Sequence, residues 1–471
     1  MNPSDLLQDA CGNALRFLLT LPSRPACASA DAAALRQALG SELSERGEDP
    51  RALLASLVQA IEPGLVANAG PRYFGFVTGG VLPVALATEW LTAAWDQNAF
   101  GHVASPAASV IEEITASWLV ELFGLPEHAS VGFVTGGQMA NFTCLCAARG
   151  EVLRRSGVDL ELTGLAHAPP ITVLVSEHGH VTIHSALRML GIGKQQIVSV
   201  AADAQGRMRA DALRETIARC GGPLIVCTQA GNVNTGAFDP LSEIIPIARE
   251  RGAWVHVDGA FGLWAAAHPE LRTQLAGHAL ADSWAVDGHK WLNVPYDSGF
   301  AIVADPRAHH DAMRVGAAPY LVRAETGERD GSDWVPESSR RARAFSVYAA
   351  LRSLGRNGVA ELIGSCCVLA RRIAEGVKRE AGARILNDVV LNQVLVRFET
   401  TGTPNPEAGD VLTRRVIEHL QKDGTCWVGP TVFRGQAAMR ISISNWSTTA
   451  QDVDRAIDAI AKAAAHCRRS Q

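Results

Sequence analysis

Short apolar runs alternate with helical segments between residues 131 and 304, and this alternation constrains the fold more than any other feature of the chain. The runs are apolar on both faces, which is typical of strands covered by helices on two sides. The pattern therefore predicts an α/β fold with a mainly parallel, seven-stranded sheet. The runs are VGFVT, ITVLVS, IVSV, PLIVCT, AWVHVD, DSWAVD and GFAIVA, and the amphipathic segments between them include 138–154, 181–190, 209–219 and 240–251.

The sequence outside these runs predicts two further parts. Residues 1–65 carry apolar side chains at helical spacing between polar and proline-containing turns, which predicts an N-terminal helical arm. The large domain is expected to cover residues 66–335. A helical pattern restarts near residue 336, after a polar loop that contains glycine, and predicts a small C-terminal α+β domain over 336–471.

The composition excludes several classes of protein. Of the 471 residues, 47% are hydrophobic and 19% are charged, so the chain can build a sizeable core. A net charge of −5 provides no basic field for nucleic acid or anionic lipid, and no uncharged apolar run is long enough to cross a membrane. Ten cysteines without a C-x-x-C pair indicate reduced thiols, and the N-terminus does not resemble a secretory signal. We therefore expect a cytoplasmic protein that binds neither nucleic acid nor membrane.

Glycines and histidines follow the first two apolar runs, where ligands bind in parallel α/β sheets. Gly136 and Gly137 precede a helix, and such a turn either holds a phosphate on the helix amides or is simply a structural turn. His178 and His180 follow the second run, and His184 lies in the next helix. No cysteine or second carboxylate accompanies them, so a metal site is not predicted. Either His180 presents its ring to a planar ligand, or all three are turn histidines that bond locally.

A carboxylate and a lysine follow two later runs. Asp258 ends the fifth run, where a buried charge requires a cationic partner such as a ligand nitrogen. Lys290 follows the sixth run, together with Asp287 and His289, and is either a surface lysine or a buried nucleophile. A phosphate-holding turn, a stacking histidine, a carboxylate and a Schiff-base lysine are together the groups that bind pyridoxal phosphate. No nucleotide-binding glycine motif has comparable support.

The chain resembles the group II pyridoxal-phosphate-dependent amino-acid decarboxylases, the family of aromatic-amino-acid and glutamate decarboxylases within fold type I. The segments that carry the resemblance include PRYFGF, FVTGGQMANF, SEHGHVTIH, HVDGAFG, DGHKWLNVPYDSG and SSRRARAF. The resemblance implies pyridoxal 5'-phosphate as the cofactor, with Lys290 as its Schiff-base lysine, Asp258 facing the pyridinium nitrogen and His180 stacked on the ring. The residues that it places around the phosphate are Gly136, Gly137, Gln138 and His289, with Ala260 under the ring.

The same resemblance implies decarboxylation of an L-amino acid to the amine and CO2, but the chain departs from the family in two places. Gln138 stands where relatives usually have threonine, which changes a phosphate donor. The segment GERDGSDWVP lacks the loop tyrosine that is thought to protonate the product. Another donor such as His180 is then required, or the reaction is that of an aldehyde synthase, an aldolase-type lyase or a transaminase. The tyrosines of the chain are Tyr73, Tyr296, Tyr320 and Tyr348.

The resemblance also addresses substrate and assembly. In the family, the segment corresponding to residues 74–79 lines the substrate pocket, and Phe74 and Phe76 without a nearby charge favour an apolar or aromatic amino acid. A homodimer with sites at the interface is implied, with the helical arm exchanged and residues around Phe100 reaching across. The arginines whose role stays open between a structural one and one in the site are Arg340, Arg341 and Arg440.

Overall fold

The computed structural model describes residues 3–316, 319, 327–400 and 405–469. The chain forms two compact units. The first comprises the chain up to Gly80, Leu369–Leu386 and the chain from Val394 onward, and the second comprises Val81–Val368 and Asn387–Gln393. The division into an arm, a large domain and a small domain at residues 65/66 and 335/336 stays a prediction.

A seven-stranded sheet lies in the second unit. Its strands are β1 Ser130–Val134, β2 Thr172–Ser176, β3 Ile197–Val200, β4 Leu224–Gln229, β5 Trp254–Asp258, β6 Ser283–Asp287 and β7 Gly299–Val303. Their order across the sheet is β1-β7-β6-β5-β4-β2-β3. Strand β7 pairs antiparallel with β1 and β6, and the other neighbours pair in parallel. The prediction of a mainly parallel sheet with seven strands is confirmed.

Burial on both faces explains the composition of these strands. Every residue of β1 and of β4–β7 is buried. The side chains of Trp254 and Trp284, among the largest in the core, are 1% and 0% exposed. Because helices cover both faces, the strands need apolar side chains at successive positions rather than at alternate ones.

Helices flank the strands. The four helices predicted from the amphipathic segments 138–154, 181–190, 209–219 and 240–251 are confirmed. The helices are α1 Pro3–Thr20, α2 Ala32–Leu39, α3 Pro50–Ile61, α4 Pro83–Trp95, α5 Pro106–Phe123, α6 Gly137–Arg155, α7 Leu160–Thr163, α8 Val181–Met189, α9 Ala210–Ala218, α10 Leu241–Glu250, α11 Pro306–Met313, α12 Ala344–Lys378, α13 Pro406–Asp423 and α14 Ala450–Arg469. Helix α12 is interrupted at Gly355, whose φ is 61°. Within the described ranges, no helix has the length and apolarity needed to span a bilayer.

Helix α6 is central to the second unit. It packs against β1, β5, β6 and β7 and against α8 and α11. Its apolar side chains, among them Leu145, Val152 and Leu153, belong to the core under the sheet. The helix starts directly after β1, so its N-terminus lies at the carboxyl edge of the sheet.

The helical pattern expected to restart near residue 336 begins later, at Ala344. The segment before it is held in a non-helical form by two interactions. The guanidinium of Arg340 is buried against Glu112, with 2.6 Å between Nη1 and Oε1, and the backbone of Arg341 bridges to Asn98. The start predicted for this helix is therefore wrong, because tertiary contacts override the local helical pattern.

A second sheet, antiparallel where its pairings are resolved, belongs to the first unit. Its strands are β8 Ala383–Ile385, β9 Gln393–Phe398, β10 Gly429–Phe433 and β11 Gln436–Ser442, in the order β10-β11-β9-β8. Helix α13 packs against β11 and against α14. Inside this unit Arg397 is 1% exposed and pairs with Glu399 at 2.9 Å and with Asp410.

Gly299 on β7 permits the turn that follows β1. A Cβ atom at this position would lie 2.5 Å from the Cα of Gly136 and 2.7 Å from its carbonyl carbon. Gly299→Ala should therefore lower the free energy of unfolding by about 1–3 kcal/mol, the usual cost of overpacking. Denaturant unfolding monitored by circular dichroism measures this change.

The matched control is Gly150→Ala in the interior of α6, where a Cβ atom would meet no atom within 4 Å. That substitution should stabilise the protein by about 0.5–1 kcal/mol, because alanine favours a helix. A Gly299→Ala protein as stable as the wild type would show that the close approach of β7 to the turn is not required.

Candidate active site

The carboxyl ends of β1, β2, β5 and β6 lie at one edge of the sheet. Strand β7 is antiparallel to both β1 and β6, so β1 runs in the same direction as the parallel strands. Gly136 follows β1, His180 follows β2, Asp258 ends β5, and Lys290 follows β6. The topology therefore gathers the predicted site residues at the edge where α/β sheets bind ligands.

Asp287, the last residue of β6, is the centre of one half of the site. Its carboxylate is 2% exposed, and its Oδ2 lies 2.7 Å from Nζ of Lys290. Its Oδ1 lies 3.2 Å from Nε2 of His289 and accepts a hydrogen bond from the backbone N–H of Gly137. One carboxylate thus connects the glycine turn to the predicted nucleophile. Its place at the end of a buried strand is the sequence signal that could have assigned it this role.

The two glycines of the turn leave room for no side chain. A Cβ atom on Gly136 would lie 2.8 Å from Cε1 of His289, and one on Gly137 would lie 2.7 Å from Oδ2 of Asp287. Gly136 is the N-cap of α6 and has no side chain to accept from the first turn. Since an α-helix supplies no acceptor for its first amides, Gln138 and Met139 have N–H groups available for an anion. The Gln138 side chain itself is exposed.

Asp258 is a buried carboxylate with few partners. Its side chain is 8% exposed, its Oδ1 accepts from the Ala260 N–H at 3.3 Å, and its Oδ2 accepts from Nδ2 of Asn141 at 3.3 Å. Within the described ranges, no lysine, arginine or histidine forms an ion pair with it. An unpaired buried charge is strongly unfavourable. The site therefore fits a ligand that brings a cationic N–H to this carboxylate.

His180 is joined to the same carboxylate through a threonine and an asparagine. It is the N-cap of α8, and its Nδ1 accepts from the N–H of Thr182 and lies 2.8 Å from Oγ1 of Thr182. The Thr182 hydroxyl in turn accepts a hydrogen bond from Nδ2 of Asn141 at 3.2 Å. Asn141 does not follow from the sequence pattern, because a single polar residue inside α6 carries no distinguishing signal.

The other two histidines of the turn take no part in these contacts. The backbone N–H of His178 donates to Oγ of Ser176 at 3.3 Å, and His184 is exposed on α8. Glu177 accepts from the N–H of Ala202 at 2.9 Å. Among the residues that the structure describes, no group of three or more potential ligands could hold a metal ion.

His289 is oriented by its neighbours on the following loop. Its Nδ1 accepts from the N–H of Ser298 at 3.2 Å, so its proton is on Nε2, facing Asp287. Burial lowers the pKa of His289, which keeps the ring neutral. The ring of Tyr296 lies 4.4 Å from the His289 ring, measured between centroids. Within the described residues the buried Oγ of Ser298 has no hydrogen-bond partner, so it can donate to an added anion.

The remaining tyrosines are placed as follows. Tyr73 stacks on Trp427 with centroids 4.9 Å apart, and Tyr348 stacks on Trp118 at 5.0 Å. Tyr320 lies outside the described residues.

Three arginines could have either a structural role or a role in the site. Arg340 pairs with Glu112, Arg341 pairs with Glu89, and Arg440 lies on β11.

Comparison with known families shows the family to which the chain belongs. The family model described as "Pyridoxal-dependent decarboxylase conserved domain" matches residues 33–399. The chain belongs to the pyridoxal-dependent decarboxylases. The predicted family, fold class and cofactor are confirmed, and the protein is a carboxy-lyase that uses pyridoxal 5'-phosphate, PLP.

Similar decarboxylases and one aldehyde-forming enzyme are found among characterised proteins. The chain is 31% identical to L-2,4-diaminobutyrate decarboxylase of Rhizobium meliloti, over 90% of this chain and 83% of that protein. It is 26% identical to aromatic-L-amino-acid decarboxylase of Bacillus atrophaeus, over 92% of this chain and 89% of that protein. It is also 26% identical to 4-hydroxyphenylacetaldehyde synthase of Rhodiola rosea, over 96% and 94% of the two chains.

Solved structures share the fold of this PLP-dependent decarboxylase. Oryza sativa TDC with PLP and tryptamine aligns with a TM-score of 0.92 at 24% identity and covers 99% of both chains. Mouse CSAD aligns with a TM-score of 0.91 at 23% identity, over 98% of this chain and 99% of that one. At these identities the likeness establishes the fold alone.

The residues at the sheet edge fit PLP. The glycine turn and the first amides of α6 suit a phosphate, and the buried Asp258 suits the protonated ring nitrogen. Lys290 is 21% exposed and held by Asp287 rather than turned into bulk water. These side chains would hold the cofactor between the ends of β1, β5 and β6.

Removing the charge of Asp287 should destabilise this decarboxylase in the absence of cofactor. Asp287→Asn keeps an acceptor for Gly137 but removes the ion pair with Lys290, so the free energy of unfolding should fall by about 1–3 kcal/mol. Denaturant unfolding of the apoprotein measures the effect. The matched control is Asp305→Asn at the N-cap of α11, which keeps the cap and removes only an exposed pair with Arg307. Equal losses in the two variants would contradict a specific role for the Asp287 carboxylate.

His256 on β5 is a second titratable group beneath the site. The side chain is fully buried, with Nε2 2.8 Å from Oδ1 of Asn141 and Nδ1 2.9 Å from Oγ of Ser283. Burial lowers the pKa of His256 from 6.5 to about 4. The ring is therefore neutral in the folded protein at pH values where an unfolded chain already binds a proton.

The sign of the resulting pH dependence follows from this difference in proton binding. Between pH 6.5 and about 4 the unfolded state binds the extra proton, so stability falls as the pH falls. The full effect is about 3 kcal/mol. His256→Gln cannot titrate and should flatten the curve of unfolding free energy against pH in this range. Parallel curves for the two proteins would show that His256 titrates normally in the folded state.

Proposed function

We propose that this enzyme decarboxylates an L-amino acid with an aromatic or apolar side chain, forming the amine and CO2, with PLP bound through Lys290. The family supports decarboxylation as the reaction class. The observation that carries the residue assignment is the buried carboxylate of Asp258, which within the described residues has no cationic partner. A pyridinium N–H supplies that partner.

Each residue at the sheet edge has a defined task in this proposal. Bound PLP supplies a ring that accepts the electron pair of the bond broken at the α-carbon. Lys290 would hold the cofactor through its Nζ, which Asp287 contacts at 2.7 Å. Asp258 would hold a proton on the ring nitrogen, and Gly137 and His289 would orient the phosphate. Ala260 lies between the two carboxylates, since its N–H donates to Asp258 and its carbonyl accepts from the N–H of Asp287.

His180 is the proton donor in this proposal. Its Nδ1 accepts from Thr182, so the ring carries its proton on Nε2, and this proton passes to the α-carbon while water returns one to the ring. The segment 327–336 contains no tyrosine that could take this task. Arg329 in that segment is anchored instead to Glu112, with 3.3 Å between Nε and Oε2, and lies over the ring of Trp334.

The preference for aromatic or apolar substrates rests on the segment 74–79, which lines the substrate pocket in the family that this chain resembles. Phe76 is 60% exposed, and its ring lies 5.1 Å from that of Trp427, which also stacks on Tyr73. The segment 74–79 contains no charged residue. Such a surface binds an aromatic or aliphatic side chain through apolar contact and provides no partner for a charged one.

Oxidation of the substrate to an aldehyde is the second candidate. The observation in its favour is the missing loop tyrosine, because a slow protonation at carbon leaves time for reaction with oxygen. One relative is an aldehyde synthase by name, the 4-hydroxyphenylacetaldehyde synthase of Rhodiola rosea. Retro-aldol cleavage and transamination stay open as further outcomes.

A panel of aromatic, aliphatic, acidic and basic L-amino acids, with product mass analysis in air and under nitrogen, tests the proposed reaction. We expect CO2 and the amine in equal amounts from an aromatic or apolar substrate, with no dependence on oxygen. An aldehyde formed only in air would favour the second candidate. Substrate consumption without CO2 would contradict decarboxylation.

Replacing the proposed covalent lysine tests the site itself. Lys290→Ala should abolish both the visible absorbance of bound PLP and CO2 release, because no other amine replaces Nζ at this position. The control is Lys194→Ala, a lysine in the short turn before β3. Retention of the visible band by the Lys290→Ala protein would contradict the assignment.

We also propose a homodimer in the cytoplasm. The arm helices support an exchanged interface, since Leu7, Leu15 and Leu19 of α1 are 67%, 50% and 80% exposed. The ten cysteines, all within the described residues, form no disulfide bond, as in proteins of reducing compartments. Light scattering after size-exclusion chromatography distinguishes a dimer from a monomer.

A further inference from the structure

A chain of hydrogen-bonded side chains runs beneath the site from the core to His180. We call it the Asn141 relay. All of its hydrogen bonds lie within the second unit. Its members Asn141, His256, Ser283 and Trp254 are at most 1% exposed, so water cannot substitute for a missing partner. In order from the core, the relay consists of Trp254, Ser283, His256, Asn141 and Thr182.

The carboxylate of Asp258 determines the orientation of the relay from one end. An ionised carboxylate can only accept, so Asn141 must present Nδ2 to it, as the distance of 3.3 Å from Nδ2 to Oδ2 indicates. The amide oxygen of Asn141 then faces Nε2 of His256 at 2.8 Å. His256 must therefore carry its proton on Nε2.

The indole of Trp254 leads to the same conclusion from the other end. Its Nε1 can only donate, and it donates to Oγ of Ser283 at 2.9 Å. The Ser283 hydroxyl is then free to donate its own proton to Nδ1 of His256 at 2.9 Å. Both ends thus assign the same tautomer, and burial keeps His256 neutral by lowering its pKa to about 4.

Asn141 also orients the hydroxyl that contacts His180. Its second Nδ2 hydrogen goes to Oγ1 of Thr182 at 3.2 Å. The hydroxyl of Thr182 then donates to Nδ1 of His180 at 2.8 Å. One amide group therefore contacts the carboxylate directly and reaches His180 through the Thr182 hydroxyl.

We propose that Asn141 is a positioning residue that holds Asp258 and His180 as one unit toward PLP, and that His256 keeps its amide in the required orientation. This inference rests on the assignment of Asp258 and His180 to the cofactor made under the proposed function. Neither Asn141 nor His256 needs to touch PLP. Without the relay, Asp258 loses a donor, and the Thr182 hydroxyl that lies against Nδ1 of His180 loses the amide that orients it.

Titration of the apoproteins with PLP, followed by the visible absorbance of the bound cofactor, tests the proposal. Asn141→Ala should weaken PLP binding roughly ten- to hundredfold, as expected for the loss of a hydrogen bond to a charged group, and should change the shape of the visible band. His256→Leu should weaken binding roughly tenfold. His256→Gln should bind PLP like the wild type, because its amide can donate to Asn141 in place of Nε2.

The matched control is His309→Leu, which removes a histidine that is also fully buried and bonded to a serine, Ser130, at 2.8 Å. This variant should lower the melting temperature of the apoprotein without changing the affinity for PLP or its spectrum. An equal loss of affinity for PLP in His309→Leu and His256→Leu would show that the loss comes from lower protein stability and not from the relay, and would overturn the proposal.

Asp258→Asn separates failure of this inference from failure of the proposed site. If Asp258→Asn binds PLP weakly but Asn141→Ala binds it with wild-type affinity and spectrum, the inference is wrong and the site assignment stands. If Asp258→Asn also binds like the wild type, the site assignment itself fails. Should Asn141→Ala not fold, equal affinities of His256→Gln and His256→Leu would overturn the proposal.

Discussion

The buried carboxylate of Asp258 is the constraint around which the site is built. A charge at the end of a central strand, 8% exposed, is tolerated only where donors and a cation surround it. The described residues provide two donors, the N–H of Ala260 and the amide of Asn141, and we propose that the ligand provides the cation. A site of this kind favours a ligand that keeps a proton on an aromatic nitrogen, which is the property that PLP needs for its chemistry.

The second carboxylate at this edge of the sheet, that of Asp287, has a different role. Asp287 lies on the neighbouring strand, and its register is set by pairing with Gly299 of β7. Because it bonds to Lys290, His289 and the amide of Gly137, it joins the proposed covalent lysine to the glycine turn. In the proposed site the two carboxylates would serve different parts of the cofactor, Asp258 the ring nitrogen and Asp287 the lysine and the phosphate turn.

The sequence predicts much of this arrangement, because the carboxyl ends of parallel strands lie at one edge of the sheet whatever side chains they carry. Asp258 and Lys290 could be selected since each follows an apolar run, where a charged residue has no packing role. Asn141 and His256 could not be selected in this way. One is a polar residue inside a helix and the other lies within a strand, and their roles arise only when α6 packs across β5. The late start of α12 was missed for a similar reason, because Arg340 pairs with a residue far away in sequence.

Reduction of the PLP-loaded enzyme with borohydride, followed by peptide mass mapping, tests the central claim most directly, because it fixes the cofactor to the lysine that binds it. The chain has five lysines, Lys194, Lys290, Lys378, Lys422 and Lys462, so the result is unambiguous. We expect one phosphopyridoxyl group per chain, on Lys290. A stable adduct on any of the other four lysines, or none, would contradict the account.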